Sequence, residues 1–300
     1  MTHPIPVILD TDIGGDIDDT WALALLLKSP ELDLKLVVTD TGDTPYRARV
    51  AARLLETAGR TDVPVAVGIR QSDNAGPQAG WVERYSLDDY PGAIFEDGVD
   101  ALIDTIMGSP EPVTLIAIGP VPNIAAALAR EPRIATRARF VGMHGSVRVG
   151  YGGSSVVSAE WNVKADPVAC RAVFTAPWEI TITPLDTCGL VQLTGDRYAR
   201  VRDCPDPLTR AVIDNYRIWA RNHEWAREDA EDHSSTLFDT VAVTLAFSET
   251  LMEIETLPLR VTGDGYTAIE PGAKLVRCAT RWKDLPAFEE FLVQRLTGRA

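Results

Sequence analysis

Five aspartates within ten residues near the start of the chain are the side chains best suited to do chemistry. They are Asp10, Asp12, Asp16, Asp18 and Asp19, and two glycines interrupt the run. Carboxylates this close together repel one another unless a cation neutralises them, and carboxylate oxygens are the ligands that Ca²⁺ and Mg²⁺ prefer. Capping a following helix would need only one of the five. The run therefore predicts a site for a hard divalent metal ion.

The segments on either side of the aspartates predict where they lie. Residues 7–9 are an apolar run typical of a buried strand, and the apolar stretch from Trp21 predicts a helix packed on it. Strand-like and helix-like stretches then alternate, which is the pattern of a parallel sheet covered on both faces. The predicted fold class is therefore α/β, an open, mostly parallel, twisted sheet of the Rossmann-like kind. Such sheets bind ligands at the carboxyl ends of their strands, where the aspartates are placed.

The remaining elements follow from the same patterns of apolar residues and from capping residues. Predicted strands cover residues 34–39, 63–67, 113–118, 140–143, 179–183, 257–261 and 274–278. Predicted helices cover residues 47–58, 124–130, 207–232 and 237–247, and others begin at Asp166 and Leu285. Residues 70–91 are irregular, and so long a loop in a compact domain is usually a lid or a binding loop. Since no linker or repeat divides the sequence, residues 1–300 are predicted to form a single domain.

Composition disfavours several classes of function. A chain of 300 residues with 45% apolar content can bury a large core, and it contains no apolar run long enough to span a membrane. The net charge of −14 disfavours nucleic acid and anionic membrane surfaces as partners. There is no secretory signal before the first strand, and the four cysteines have no CxxC spacing. These features predict a cytoplasmic location with reduced thiols.

A series of motifs resembles the inosine-uridine-preferring nucleoside hydrolase family. They are the aspartate turn and residues 42–43 (Gly-Asp), 119–124 (Gly-Pro-Val-Pro-Asn-Ile), 143–145 (Met-His-Gly), 159–163 (Ala-Glu-Trp-Asn-Val) and 237–243 (Leu-Phe-Asp-Thr-Val-Ala-Val). Each motif alone is weak, but together, in this order and spacing, they are specific and extend over nearly the whole chain. The resemblance implies an N-glycosyl hydrolase that splits a small ribonucleoside into ribose and a free base, and it implies a homodimer or homotetramer.

The resemblance also implies a Ca²⁺ ion that holds the attacking water and two ribose hydroxyls. Asp12 would bind the ion and accept the proton of that water. Asp19, Asp239 and the backbone carbonyl of Pro122 would complete the metal ligands, and a proline can serve because it lacks only the N–H. Asp10 would support these ligands from behind. An acidic pocket suits this reaction, because the ribose becomes oxocarbenium-like in the transition state.

Substrate contacts are implied in the same way, and some of them depart from the family pattern. The candidates are Asp18, Glu160 and Asn162 for ribose, with Asp43, Ser154 and His144 as further substrate contacts. Asp43 and Ser154 stand where asparagines would be expected. The first turn is longer than the family's shorter form by two residues, so Asp16 competes with Asp18 for the ribose role.

The main departure is Phe238, which occupies the position where purine- and uridine-cleaving members place a histidine that protonates the leaving base. The candidate replacements are His223, His233 and Tyr216, and Trp219 is a further possible contact that could stack on the base. Alternatively, the base leaves readily, or the substrate is a non-standard ribosyl compound. A catalytically idle metal- and ribose-binding protein on the same scaffold is the competing function. A haloacid-dehalogenase-like phosphatase is disfavoured, because no lysine is placed to face a phosphate.

Overall fold

The computed structural model describes residues 3–226 and 229–298, and within them ten strands form one sheet. The strands are β1 (Ile5–Thr11), β2 (Leu32–Thr39), β3 (Val65–Val67), β4 (Ile94–Phe95), β5 (Val113–Ala117), β6 (Ala138–Met143), β7 (Ile180–Thr183), β8 (Met252–Val261), β9 (Thr267–Ile269) and β10 (Leu275–Trp282). Their order is β4-β3-β2-β1-β5-β6-β7-β10-β8-β9. The first seven strands and β10 run parallel, whereas β8 and β9 are antiparallel to their neighbours. The predicted mostly parallel α/β sheet is confirmed.

Helices connect the strands at nearly all the predicted places. They are α1 (Asp18–Leu27), α2 (Thr44–Thr57), α3 (Gly98–Gly108), α4 (Pro122–Arg130), α5 (Trp161–Ala165), α6 (Pro167–Thr175), α7 (Gly195–Arg202), α8 (Pro207–Arg221), α9 (Asp229–Asp232), α10 (Phe238–Leu245) and α11 (Leu285–Thr297). Helices α3, α5 and α7 lie outside the predicted set. The single helix predicted over 207–232 is instead divided, with α8 ending at Arg221, and residues 227–228 of that prediction lie outside the described residues.

Side chains of the central strand pack on both faces of the sheet. Val7 and Leu9 belong to a core shared with α1, α2, α8, α10 and α11, while Ile8 belongs to a second core shared with α3, α4 and α6. Successive residues of a strand point to opposite faces, so a strand with helices on both sides must be apolar at every position. This explains why residues 7–9 form an unbroken apolar run. The two cores lie on the two faces of the sheet, and the polar residues lie at its carboxyl edge.

Asn123, at the start of α4, joins three strand ends at that edge. Its side-chain oxygen accepts a hydrogen bond from the Ile69 N–H (2.8 Å), and its amide group donates to Asp10 Oδ2 (2.9 Å) and to the Thr39 carbonyl (3.1 Å). A Cβ atom at Gly68 would lie 2.0 Å from the Thr39 carbonyl oxygen, so only glycine fits beside this junction. The junction therefore holds the ends of β1, β2 and β3 together beneath the aspartate turn.

The predicted loop over residues 70–91 is irregular in the structure apart from two 3₁₀ turns, Ala79–Trp81 and Leu87–Asp89. None of the helices in the described part of the chain is both long and apolar enough to cross a membrane. The four cysteines are buried and carry free thiols.

We predict that Asn123→Ala lowers the free energy of unfolding by about 2–4 kcal/mol, because it leaves a buried N–H, a buried carbonyl and the Asp10 carboxyl without their partner. Urea unfolding followed by circular dichroism measures this loss. Asn74→Ala is the matched control, since Asn74 is exposed and its loss should change stability by less than about 0.5 kcal/mol. Equal stability of the two variants would contradict a structural role for the junction.

Candidate active site

A cavity of about 440 Å³ opens at the carboxyl edge of the sheet, next to the ends of β1, β5 and β6. Its floor is acidic and its rim is aromatic. The lining residues are Asp12, Gly15, Asp16, Asp18, Asp19, Arg47, Pro77, Ile118, Met143, Tyr151, Glu160, Trp161, Asn162, Trp219, His223, Trp225, Phe238 and Asp239. The turn after β1 and the first residues of α10 meet here, although more than 200 residues separate them in the sequence.

Three buried carboxylates form a compact cluster on the floor. Asp18, Asp19 and Asp239 each offer an oxygen, and these oxygens lie within 4.8 Å of one another. The Asp239 N–H donates to Asp18 Oδ2 (3.2 Å), and the Thr11 hydroxyl donates to Asp19 Oδ1 (2.5 Å). All three acids lie in the first turn of α1 or α10, where the helix N-terminus favours negative charge.

Burial raises the pKa of Asp18, Asp19 and Asp239 well above the usual range of an aspartate, and repulsion among them and from Asp12 raises it further. A divalent cation at the cluster would remove that repulsion. Several carboxylate oxygens converging on one point are the donor set of a hard ion such as Ca²⁺ or Mg²⁺. The residues present therefore fit the predicted metal ion.

Asp12 stands beside this cluster, at the end of β1, and faces a guanidinium group. The Arg47 Nη2 atom lies 3.8 Å from Asp12 Oδ2, while its Nε and Nη1 atoms donate to the carbonyls of Thr41 and Ile13, both at 3.0 Å. Burial raises the pKa of Asp12, and attraction to Arg47 opposes the rise. Arg47 lies outside the predicted site. Among the arginines of α2, Arg47 is distinguished by its position on the side of the helix that faces the cavity, which the sequence does not reveal.

Glu160 and Asn162 form one wall of the cavity and are buried, so they are not an exposed loop pair. The Glu160 carboxylate caps α5 by accepting from the Asn162 N–H (2.7 Å), and it also accepts from the Gly145 N–H (2.9 Å). The Asn162 amide donates to the carbonyls of Ile118 and Met143, at 3.1 and 3.0 Å. Burial raises the pKa of Glu160 to about 7, although these N–H donors oppose the rise.

Aromatic side chains surround the opening. The rings of Trp219 and His223 lie 4.2 Å apart, and Trp225 lies edge-on to Trp219 at 5.5 Å. His223 Nδ1 is 2.9 Å from the Trp219 carbonyl oxygen. Trp161 and Trp225 are 61% and 71% exposed, which is unusual for tryptophan and places two apolar surfaces at the entrance. Trp161 and Tyr151 lie outside the predicted site.

Three of the predicted substrate contacts lie away from the cavity wall. Asp43 caps α2 and lies 3.2 Å from Arg70 Nη2, and Ser154 is exposed with its hydroxyl accepting from the Val156 N–H (3.1 Å). His144 is fully buried near Phe140, 5.5 Å between ring centroids. Burial lowers the pKa of His144 to about 3, so its imidazole is neutral at physiological pH.

Pro122 and Asp10 are buried behind the cavity and do not line it. Pro122 is the first residue of α4. Asp10 bonds to Asn123, and burial raises the pKa of Asp10 to about 6, although hydrogen bonds with Asp40 and Asn123 oppose the rise. Asp40 is a fully buried acid that the sequence analysis leaves out of the site. Its position at the end of β2, beside β1, is the signal that places it next to Asp10.

Tyr216 and His233 lie on a smaller neighbouring cavity of about 300 Å³. That cavity shares five lining residues with the main one: Asp16, Tyr151, Trp219, Trp225 and Phe238. The Tyr216 hydroxyl donates to the His233 carbonyl oxygen (3.2 Å), and its ring is buried. Of the four predicted contacts to the leaving base, Trp219 and His223 therefore line the main cavity, and Tyr216 and His233 do not.

A mostly parallel sheet with a carboxylate cluster and a polar wall at its carboxyl edge is an arrangement that suits an enzyme with a metal ion in its site. Over residues 7–289 the sequence matches the family described as inosine-uridine preferring nucleoside hydrolase. The chain belongs to this family and is an N-glycosyl hydrolase, as the motifs predict.

Individual relatives agree with this assignment. The chain is 33% identical over 248 residues to the pyrimidine-specific ribonucleoside hydrolase RihA of Photobacterium profundum, with 76% of each chain covered. A solved plant nucleoside hydrolase superposes with a TM-score of 0.83 at 27% identity, covering 98% of this chain and 99% of the other. A purine-preferring ribonucleoside hydrolase from Gardnerella vaginalis, at 24% identity, has the same fold with a TM-score of 0.80 and 98% of each chain covered.

We predict that Asp239→Ala weakens the affinity for a divalent cation more than about 10-fold, since it removes one of three clustered oxygen donors. Calorimetric titration of the chelator-treated protein with Ca²⁺ and with Mg²⁺ measures the affinity. Asp73→Ala, which removes an exposed acid that is not part of the cavity lining, is the control and should bind the ion as the unmodified protein does. An unchanged affinity in Asp239→Ala would remove this residue from the ion site.

We predict that the metal-free protein becomes less stable as pH rises from about 4 to about 7. Burial raises the folded-state pKa of Asp10 to about 6 and of Glu160 to about 7, whereas in the unfolded chain such groups ionise near 4. Within this window the folded state binds more protons than the unfolded state, so stability falls with rising pH. Melting temperatures measured in chelator across the window test this, and a rise would contradict it.

Proposed function

We propose that the protein hydrolyses the N-glycosidic bond of ribonucleosides to ribose and a free base, with Ca²⁺ as its resident ion. The observation that carries this proposal is the cluster of Asp18, Asp19 and Asp239, which lies beside Asp12 and across the cavity from the Glu160 wall. Membership of the nucleoside hydrolase family supports the reaction class. The choice of calcium comes from the resemblance and from the oxygen-only donor set.

The residues proposed to hold the ion are Asp12, Asp19, Asp239 and the Pro122 carbonyl, and the cluster places Asp18 next to them. When bound, the ion would lower the pKa of a water molecule and polarise ribose hydroxyls. One Asp18 oxygen accepts the Asp239 N–H, which leaves its other oxygen available to a ribose hydroxyl. Asp10 supports the ligands from below through its bond to Asn123.

Asp12 is the proposed general base. Its carboxylate accepts the proton of the attacking water, which requires the ionised form. Arg47 favours that form, because a guanidinium 3.8 Å away stabilises the carboxylate. The two backbone carbonyls that hold Arg47 keep its charge beside Asp12, so the base is oriented before substrate arrives.

The walls of the cavity suit the two halves of a nucleoside. As the glycosidic bond breaks, positive charge develops on the ribose, and the carboxylates of the floor and of Glu160 stabilise it electrostatically. We propose that Asn162, whose amide hydrogens are held by two carbonyls, presents its side-chain oxygen to a ribose hydroxyl. Phe238, Trp219 and His223 at the aromatic end provide the surface for the base.

The remaining predicted contacts lie outside the lining of the main cavity. Asp43, Ser154 and His144 lie off the cavity wall, so any contact with substrate would require movement of their loops. Tyr216 and His233 on the neighbouring cavity would reach only a substrate that extends beyond the rim. Because the curated relatives are pyrimidine-specific, pyrimidine ribonucleosides are the first substrates to examine.

We also propose that residues 1–300 act as one catalytic domain, since a single sheet extends from β4 to β9 across the described chain. A cytoplasmic location is supported by the four free, buried thiols. A homodimer or homotetramer is proposed from the resemblance alone, and light scattering measures it. The net charge of −14 supports a small neutral substrate over nucleic acid or a membrane surface as partner.

The competing proposal is a catalytically idle protein that binds the ion and ribose on the same scaffold. The observation in its favour is Phe238, which cannot protonate a leaving base. The presence of Asp12 beside a stabilising arginine argues against it, because binding alone does not require a water-activating carboxylate.

We predict that Asp12→Asn abolishes release of reducing sugar while ribose still binds, because an amide cannot accept the proton of the water. Release of ribose from purine and pyrimidine ribonucleosides, with Ca²⁺ and with chelator, gives the activity, and calorimetry gives ribose binding. Calcium-dependent release by the unmodified protein and none by the variant supports the hydrolase. Ribose binding without release by either protein, across the whole panel, would favour the idle binder.

A further inference from the structure

The long first turn is held along its whole length by side chains from elsewhere in the chain. Four consecutive backbone carbonyls, those of residues 13–16, each accept a hydrogen bond from a different side chain. The pairs are Arg47 Nη1 with Ile13 (3.0 Å), Tyr46 Oη with Gly14 (3.0 Å), Trp219 Nε1 with Gly15 (3.2 Å) and Gln78 Nε2 with Asp16 (2.7 Å). The turn is therefore a built structure and not a free loop.

Gln78, which holds the Asp16 carbonyl, is itself fully buried and fixed. The side-chain oxygen of Gln78 accepts hydrogen bonds from Asn215 Nδ2 (2.7 Å) and from the Thr20 hydroxyl (3.3 Å). The backbone N–H of Gln78 donates to the Tyr46 hydroxyl (3.1 Å). Because each of these buried side chains is hydrogen-bonded to others in the same network, the network favours a single conformation. The backbone that carries Asp16 is thus rigid before any substrate binds.

The carboxylate of Asp16, by contrast, is exposed to the cavity. Within the described residues, the hydrogen bond it accepts is from its own neighbour, the Ile17 N–H to Oδ1 (2.7 Å). Asp16 lines both the main cavity and the smaller one beside it, together with Trp219 and Phe238. Although this side chain is open to the cavity, the surrounding walls desolvate it enough to raise the pKa of Asp16. Repulsion from Asp12 adds to the rise, and the Ile17 N–H and attraction to His223 oppose it.

Asp16 and Asp18 are close enough for their carboxylates to repel each other, but Asp16 alone of the two also lines the smaller aromatic cavity. Asp18 belongs to the buried carboxylate cluster on the floor, whereas Asp16 lies at the aromatic end of the cavity. A nucleoside bound with its ribose on the floor places its base at that end. Every common nucleobase carries N–H donors on its edge, and a carboxylate oxygen is a strong acceptor for them.

We propose that Asp16 is a specificity-determining residue whose carboxylate accepts a hydrogen bond from a ring N–H of the leaving nucleobase. This inference rests on the proposed function and deepens it. In the empty cavity, a fifth carboxylate beside four others is destabilised by repulsion. A hydrogen bond from the base to Asp16 would stabilise this carboxylate. The rigid turn fixes the distance between the ribose end and the base end of the cavity, so Asp16 can bind the base without a change in the conformation of the turn.

The test compares substrates that differ by a single ring N–H, namely uridine with 3-methyluridine and inosine with 1-methylinosine. A third substrate, 4-nitrophenyl β-D-ribofuranoside, has a leaving group with no N–H. The values of kcat/KM are measured for the unmodified protein, for Asp16→Asn and for Asp16→Ala. Glu224→Gln is the matched control, because it removes an exposed charge next to His223 in sequence without touching either cavity lining.

For the unmodified protein we expect methylation of the ring nitrogen to lower kcat/KM about 10- to 100-fold, the range for a hydrogen bond to a charged group. In both Asp16 variants, methylation should lower kcat/KM by less than about threefold. The substitutions should also lower kcat/KM for the unmethylated nucleoside about 10- to 100-fold more than they lower kcat/KM for the nitrophenyl riboside. Glu224→Gln should keep the penalty. Asparagine can still accept the Ile17 N–H, and an unchanged melting temperature and calcium affinity in Asp16→Asn confirm that the turn is intact.

Two results would overturn the assignment of Asp16 while leaving the hydrolase intact. One is a methylation penalty that persists in the Asp16 variants or is missing in the unmodified protein. The other is an equal loss of activity on nucleosides and on the nitrophenyl riboside, which would place Asp16 on the ribose or on the metal ion. Failure of the unmodified protein to cleave any of these substrates would instead reject the proposed function itself, together with the role of Asp16.

Discussion

The mutual repulsion of buried carboxylates is the constraint on which the rest of this structure depends. Asp12, Asp18, Asp19 and Asp239 lie together in an environment that strongly disfavours their charged forms. Several groups stabilise the charged carboxylates: two helix N-termini, the Thr11 hydroxyl and the Arg47 guanidinium. These partners are too few to neutralise four acids. The geometry of the site therefore favours binding of a cation.

Such a cluster needs a rigid frame, because carboxylates on mobile loops would move apart. The frame is the carboxyl edge of a sheet whose central strand is packed on both faces, and Asn123 joins its strand ends from below. The turn that carries the aspartates is held from above by four side chains on its successive carbonyls. Since the backbone is held on both sides, the acids cannot relieve their repulsion by moving apart, and proton uptake or a bound cation must relieve it instead.

The cavity then divides the reaction between two chemically different ends. The floor and the Glu160 wall carry negative charge, which suits a ribose that becomes positively charged. The rim carries large aromatic rings, which suit a flat and uncharged base. Phe238 stands at the boundary, one residue before Asp239, so the position that joins the two ends is apolar in this protein. In the proposed reaction, polar recognition of the base would come from other side chains at the rim, and Asp16, His223 and Tyr151 are among the polar side chains that line the main cavity.

The sequence by itself determined the elements and the chemistry of the floor. Apolar periodicity placed the strands and most helices, since burial on one or two faces leaves a local pattern, and the carboxyl-edge rule placed the aspartates. Helix α3 and the division of the helical stretch after α8 were missed, although Asp97 caps α3 and carries a readable signal.

Only the tertiary structure decided which polar residues share the cavity. Arg47, Trp161 and Tyr151 carry no local pattern that distinguishes them from surface or core residues, and His144 resembles a site residue in sequence yet is buried among aromatic rings. The place of Asp16 depends on contacts such as the one between Trp219 and Gly15, which are 204 residues apart. Local sequence encodes the direction of a side chain relative to its own strand or helix. Its neighbours in space depend on how distant elements pack.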